Sequence, residues 1–329
     1  EYLYECRETL QNVLSDSVYN VRVCFGIYRT DNMNESLSFM CDKASFAVAS
    51  IKDDTHSFIA YYDDTMLEAA IKYKTIVDEF DDAIKAGEFK MYLQPQISAK
   101  TRRLTGAEAL VRRIKPDGTI ISPIDFIPVY EKSGLISRLD RYIWEQAAAK
   151  LGEWKKAGIN MSISVNISPK DFYYIDIFNT FAGLIKKYDI EPSNQKIEIT
   201  ETTIMSDVPN LMGELEELRK AGFTLEMDDF GSGYSSLNTL KDINVDVLKV
   251  DMGFIKETKN VKKSRIILAS VIKMAKELNL LIITEGVETE EQVDNLTKLG
   301  CDVFQGYYFS KAIDVNEFEK RYLYRKKAG

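Results

Sequence analysis

Histidine is almost missing from this chain. His56, flanked by Thr55 and Ser57, is the single one in 329 residues. That scarcity excludes Ser-His-Asp triads and histidine general-base schemes, and a solvent-facing role is expected for His56. Cysteine is nearly as sparse. Cys6, Cys24, Cys41 and Cys301 lie far apart, with no Cys-x-x-Cys spacing to signal zinc, a disulfide framework or a redox pair, so reduced thiols in a cytoplasm are expected. Positive charge is in deficit, with 43 Lys and Arg against 51 Asp and Glu and a net charge of -8. No basic run interleaved with aromatics appears, which argues against a polymeric nucleic-acid partner. Long apolar runs are lacking too. The best candidate, 266–283, is interrupted by Lys273, Lys276 and Glu277, so no membrane contact is expected within the chain. The first residue is Glu1, and no signal-peptide layout follows it. The chain therefore reads as cut from something longer, with any sensor or membrane anchor lying upstream.

What is present is the balance of a globular protein able to bury a large core: 45% hydrophobic and 29% charged residues. The length suggests two domains. From about residue 79, short β-branched apolar runs alternate with helix-period segments, the pattern of repeated βα units and a largely parallel sheet. The runs are 91–97, 107–114, 161–167, 196–200, 224–227, 247–250, 281–283 and 303–309. Amphipathic stretches at 143–156, 209–220, 264–278 and 290–299 run up to Gly158, Gly222, Asn279 and Gly300, residues that stop helices. Eight such runs predict an α/β fold, a (β/α)8 TIM-like barrel over 79–329, with a doubly wound open sheet as the structural alternative. Residues 1–78 predict a small α+β segment: a strand at 21–28 and helices at 36–50 and 66–86, the last stopped by Gly87.

In a barrel of this kind the residues at the C-terminal strand ends face the active-site mouth. Glu108, Asn166, Glu198, Asp228 with Asp229, Lys249, Glu285 and Gln305 fall in or just after seven consecutive runs. Singly, each has a plain explanation, such as an edge strand facing solvent or a helix cap. Together, acidic and amide groups inside apolar β runs are costly to bury unless they share something positive. Carboxylates with one amide oxygen are hard donors that suit Mg²⁺ or Mn²⁺ better than zinc. So many carboxylates suit two ions about 3.5–4 Å apart, the arrangement that cuts phosphodiesters in line.

Glu108-Ala109-Leu110 followed by Val111-Arg112 resembles the signature of the EAL phosphodiesterases. Further blocks are similar to that family's landmarks, in the family's order: Tyr92-Leu93-Gln94-Pro95, Ser164-Val165-Asn166, Ile197-Glu198-Ile199-Thr200-Glu201, Asp228-Asp229-Phe230-Gly231-Ser232-Gly233-Tyr234-Ser235-Ser236-Leu237, Leu248-Lys249-Val250-Asp251, Glu285-Gly286-Val287-Glu288 and Gln305-Gly306. The likeness spans about 82–318. It implies hydrolysis of cyclic di-GMP to linear pGpG by a homodimer using two Mg²⁺ or Mn²⁺ ions per site. It implies metal ligands at Glu108, Asn166, Glu198, Asp228, Asp229 and Glu285, with Asp228 bridging the ions. Lys249 would orient or help activate the attacking water, and Glu201 would hold the loop 229–237 in its working shape. Arg112 would hold a substrate phosphate, a task suited to a bidentate guanidinium. Gln94, Leu110, Asp251, Glu288 and Gln305 would contact substrate or support the site.

Departures from the family pattern are few. Arg113 stands where tryptophan is frequent, which points to an altered groove rim or altered regulation; Met227 replaces a common isoleucine, and Ser232 the usual threonine. Residues 21–27 and 41–47 faintly resemble the closing part of a GGDEF cyclase domain, but the turn that names it is absent, so no cyclase activity is expected. The alternative from another class is a catalytically silent sensor that binds cyclic di-GMP and acts through a protein partner; such members usually lack a ligand, and none is lacking here. A kinase-type reading of Asp229-Phe230-Gly231 fails for want of the accompanying kinase motifs.

Overall fold

The computed structural model describes residues 2–14, 22–30, 34–52, 54, 57–205, 208, 210–231, 240–241, 243–252 and 261–324. His56, Ser232 and most of the loop 229–237 lie outside the described residues, so the expectations for His56 and for Glu201 as the loop's support fall there. The chain divides into two compact units, Glu1–Glu79 and Phe80–Gly329.

The first unit holds helices Tyr2–Leu14, Leu37–Ser50 and Asp64–Asp78 and a parallel pair of short strands, β1 (Phe25–Ile27) and β2 (Ile59–Tyr61). Ser36 opens its helix by accepting the Phe39 amide at 3.3 Å, the usual N-cap device. The strand expected at 21–28 is shorter, and the helix expected at 66–86 is two helices, Asp64–Asp78 and Phe80–Lys85.

The second unit is a closed barrel. Its wall runs β3 (Phe89–Ser98), β4 (Leu104–Ile114), β6 (Ile163–Ile167), β7 (Gln195–Thr200), β8 (Leu225–Asp228), β9 (Val247–Asp251), β10 (Leu281–Glu285) and β11 (Val303–Phe304), and β11 pairs back onto β3. Closure rules out the open sheet, and it leaves no edge strand from which Glu108 or Glu198 would face solvent. Short strands β5 (Ile120–Ile121) and β12 (Ile313–Asp314) add to β4 and β3. One strand departs from the expected parallel wall. β3 is antiparallel to both β4 and β11, because residues 99–103 join it to β4 by a turn too short for a parallel crossover.

Strand periodicity divides each strand between lumen and outer face. On β3 the outer-face residues Phe89, Met91 and Leu93 are 0–5% exposed, and Phe89 packs with Phe80, Phe126 and Tyr130. Arg113 lies on this outer side. It is buried, pairs with Glu88 at 2.9 Å and lies 5.7 Å from the Phe89 ring centre. The expected rim role for Arg113 is therefore corrected: the two-residue period turns it away from the mouth. The helices end as their stop residues require, with left-handed backbone at Gly158, Gly222, Asn279 and Gly300 (φ 74°, 94°, 60° and 95°). No helix of the described residues is long and apolar enough to cross a membrane.

Helix Ile136–Lys156 covers β6, and Trp144 donates its indole N–H to the Asn166 carbonyl at 2.9 Å. On the same helix Asp140 neighbours Asp171, and two carboxyls so placed favour sharing a proton. Burial pushes Asp171 up to about 6, and burial together with Asp171 and Glu131 pushes Asp140 well above the carboxylate range. Raised carboxyl pKa values make the folded state the tighter proton binder. Their cost is absent below the ordinary carboxylate range and grows as pH climbs through about 6. Asp140→Asn, which puts an amide donor beside Asp171, is expected to raise stability at pH 8 by about 1–2 kcal/mol. It should also flatten the decline between pH 4 and 8 in denaturant titrations; an unchanged pH profile would contradict the shared proton.

Candidate active site

The lumen-facing register brings the polar residues of separate strands to one level. Lys249 on β9 is fully buried. Its ammonium lies 3.5 Å from Glu108 Oε2 on β4, 3.0 Å from Glu198 Oε2 on β7, 3.2 Å from Asp228 Oδ1 on β8 and 2.9 Å from Glu285 Oε1 on β10. Asn166 on β6 directs its amide to Glu108 Oε1 at 3.5 Å, and Gln305, just past β11, donates to Glu108 Oε2. Asp229 follows β8 in left-handed backbone, φ 55°, and its amide donates to Asp228 Oδ1 at 2.9 Å.

One cation among four largely buried carboxylates leaves surplus negative charge, which disfavours ionising them all together. Burial, then crowding by Asp228 and Glu108, pushes Glu285 up to about 8 despite Lys249. Burial and Glu108 raise Glu198 well above the carboxylate range, and burial and Asp228 raise Asp229. Burial pulls Lys249 down, but its four acidic neighbours outweigh it and hold the ammonium charged.

Around this cluster lies a cavity of about 400 Å³ at the C-terminal mouth, lined by Gln94, Glu108, Leu110, Asp251, Glu285, Gly286, Glu288, Gln305, Gly306 and Tyr307. Of the residues expected to contact substrate, Gln94, Leu110, Asp251, Glu288 and Gln305 line it. Arg112 does not: it sits one step of two further out on the same face of β4, donating to the Val111 carbonyl at 2.7 Å. Glu201 is buried at the start of helix Glu201–Met205.

Gly286 and Gly306, present in the family-like blocks above, and Tyr307 also line the cavity, a role not assigned to them from the sequence. A Cβ at Gly306 would lie 2.2 Å from the Val287 carbonyl oxygen, and one at Gly286 (φ 66°) would lie 3.2 Å from Asp251 Oδ1, so both glycines permit close approach of backbone. Also unforeseen is a polar layer one step deeper. Ser164, Lys196 and Glu226 precede Asn166, Glu198 and Asp228 by two residues. Glu226, fully buried, accepts from Ser164 at 2.8 Å and Lys196 at 2.9 Å. Lysine and glutamate alternating with apolar neighbours on β7 and β8 were the available signal.

Comparison with known proteins places the chain. The EAL domain model matches residues 77–312. This chain belongs to the EAL domain family. The signaling protein YkoW of Bacillus subtilis (strain 168) is 34% identical over 278 residues, 84% of this chain and 35% of that protein. The probable cyclic di-GMP phosphodiesterase PdeG of Escherichia coli (strain K12) is 36% identical over 252 residues, 74% of this chain and 48% of its own length. Among solved structures, the c-di-GMP complex of the PaMucR phosphodiesterase superposes with a TM-score of 0.69 at 31% identity, over 74% of this chain and 99% of that one. The chain spans about 35–42% of the length of the first three curated relatives.

The EAL cluster fits a divalent metal by its donor chemistry. Both Glu198 carboxylate oxygens and Glu285 Oε1 are buried without an aligned hydrogen bond, and all the acidic groups are hard oxygen donors. Among the described residues no three acidic side chains already form a coordination set; the point on which the carboxylates converge is taken by the Lys249 ammonium. Glu198 Oε2 and Glu285 Oε1 are held by Lys249 alone among the described residues, and the surplus charge weighs more than that orientation, since carboxylate rotamers adjust readily and buried charge does not dissipate.

Proposed function

We propose that the barrel hydrolyses cyclic di-GMP to linear pGpG with Mg²⁺ or Mn²⁺. The observation that carries this reading is the convergence of Glu108, Glu198, Asp228 and Glu285, from four different strands, on the buried Lys249. Divalent ions, when bound, lower the pKa of water and neutralise charge on a phosphodiester. Glu108, Asn166, Glu198, Asp228, Asp229 and Glu285 would hold them. Lys249, fixed by its carboxylates, orients the attacking water and keeps a positive charge beside the phosphorus. Gln94, Leu110, Asp251, Glu288 and Gln305 shape the cavity against the nucleotide, Arg112 takes a phosphate oxygen, and Glu201 would hold the loop 229–237 in its working shape. The cavity volume falls within the range typical of small-ligand sites. A homodimer in the cytoplasm, with free cysteines, belongs to the same reading.

The test is direct. Purified chain incubated with cyclic di-GMP and Mg²⁺ or Mn²⁺ is expected to yield pGpG on chromatography, and EDTA should abolish the product. Tight binding with no product in either metal would replace hydrolysis by a sensor role.

A further inference from the structure

Lys90 has no place in the account above, yet the register of the first hairpin puts it beside the site. β3 and β4 pair Gln94 with Glu108, Tyr92 with Leu110 and Lys90 with Arg112. Side chains two residues apart on a strand share a face. The three pairs therefore form one column that starts at Glu108, passes Leu110 on the cavity wall and ends at Lys90 and Arg112 on the rim.

Two cations directly opposite each other on an antiparallel pair repel, with Cβ atoms about 4.5–5.5 Å apart. A neighbouring carboxylate would relieve the repulsion, but the adjacent acid, Glu88, is turned to the outer face and engaged with Arg113 at 2.9 Å. Among the described residues Arg112 meets the Val111 carbonyl and the Tyr92 ring. Lys90 is exposed, its ammonium near Gly87, and it forms no ion pair among the described residues. A like-charge pair without a carboxylate, at the edge of a cavity read as taking a dianionic ligand, is what an anion would relieve.

We propose that Lys90 and Arg112 together form a rim subsite for the second phosphate of the cyclic dinucleotide, the one not being cleaved. This rests on the functional reading above. A cyclic dinucleotide carries two phosphodiesters, and when one lies at the acidic cluster the other needs a cation elsewhere. Lys90 is thus a specificity residue that favours dinucleotides over esters with one phosphate.

The test compares Lys90→Met, which keeps the apolar stem, with Lys90→Arg, which keeps the charge. Lys90→Met is expected to raise KM for cyclic di-GMP about 5- to 20-fold, with kcat within twofold of wild type. It should also reduce the slope of log KM against log salt by about one contact's worth. Lys90→Arg should restore KM and slope. An unchanged KM in Lys90→Met, an equal loss in both variants, or a fall confined to kcat would overturn the rim subsite. A folded wild type that neither binds nor cleaves cyclic di-GMP would overturn the functional reading itself, and that result is read before any variant is made.

Discussion

Replacing Asp228 by alanine is expected to cut turnover of cyclic di-GMP by at least about 10²–10³-fold while leaving the metal-free fold as stable as wild type or more so. Asp228 is one of four carboxylates around a single ammonium, 3.2 Å from it. Its charge raises the pKa of Glu198, Glu285 and Asp229. Deleting it removes a donor but also relieves repulsion among groups that are hard to ionise together. Glu108→Ala should behave alike, since its carboxylate burdens the same neighbours. Product formation and unfolding in EDTA separate the two effects. Turnover within tenfold of wild type would remove Asp228 from the chemistry; a collapsed fold would refute the crowding argument.

Lys249→Met is expected to show the reverse balance. Removing the one cation leaves buried carboxylates uncompensated, and breaking a buried ion pair from one side typically costs about 3–5 kcal/mol. The metal-free variant should lose that much in denaturant titration. Added Mn²⁺ should return part of it, because a ligand that binds only the folded state stabilises it. Turnover should not return, since no other cationic side chain lies within 4.0 Å of these four carboxylates among the described residues. An unfolding midpoint equal to wild type in EDTA would show that the cluster does not depend on Lys249.

Much of this was legible in the amino-acid order because polar residues stand out inside apolar β runs. Glu198 between Ile197 and Ile199, and Lys249 between Leu248 and Val250, carry the signal directly. Helix ends were legible at Gly158, Gly222 and Asn279, where left-handed backbone suits glycine or asparagine. The reversal of β3 was not, since alternation of period two reads the same in either direction and only the short link 99–103 distinguishes it. Helix Pro123–Ser133 was hidden by Pro128 in its interior, a residue that normally breaks helices. β2, β5 and β12 are two or three residues long, too short for any period to show. The eighth strand proved shorter than its apolar run, 303–304 instead of 303–309, because Gly306 packs against Val287 and turns the chain.

The central claim concerns oxygens from several strands holding a pair of hard cations. Counting Mn²⁺ bound per chain by equilibrium dialysis, without substrate, addresses it directly. Two ions per wild-type chain and a clear loss in Asp228→Ala are predicted; no specific Mn²⁺ binding, or the same stoichiometry and affinity in both proteins, would contradict it.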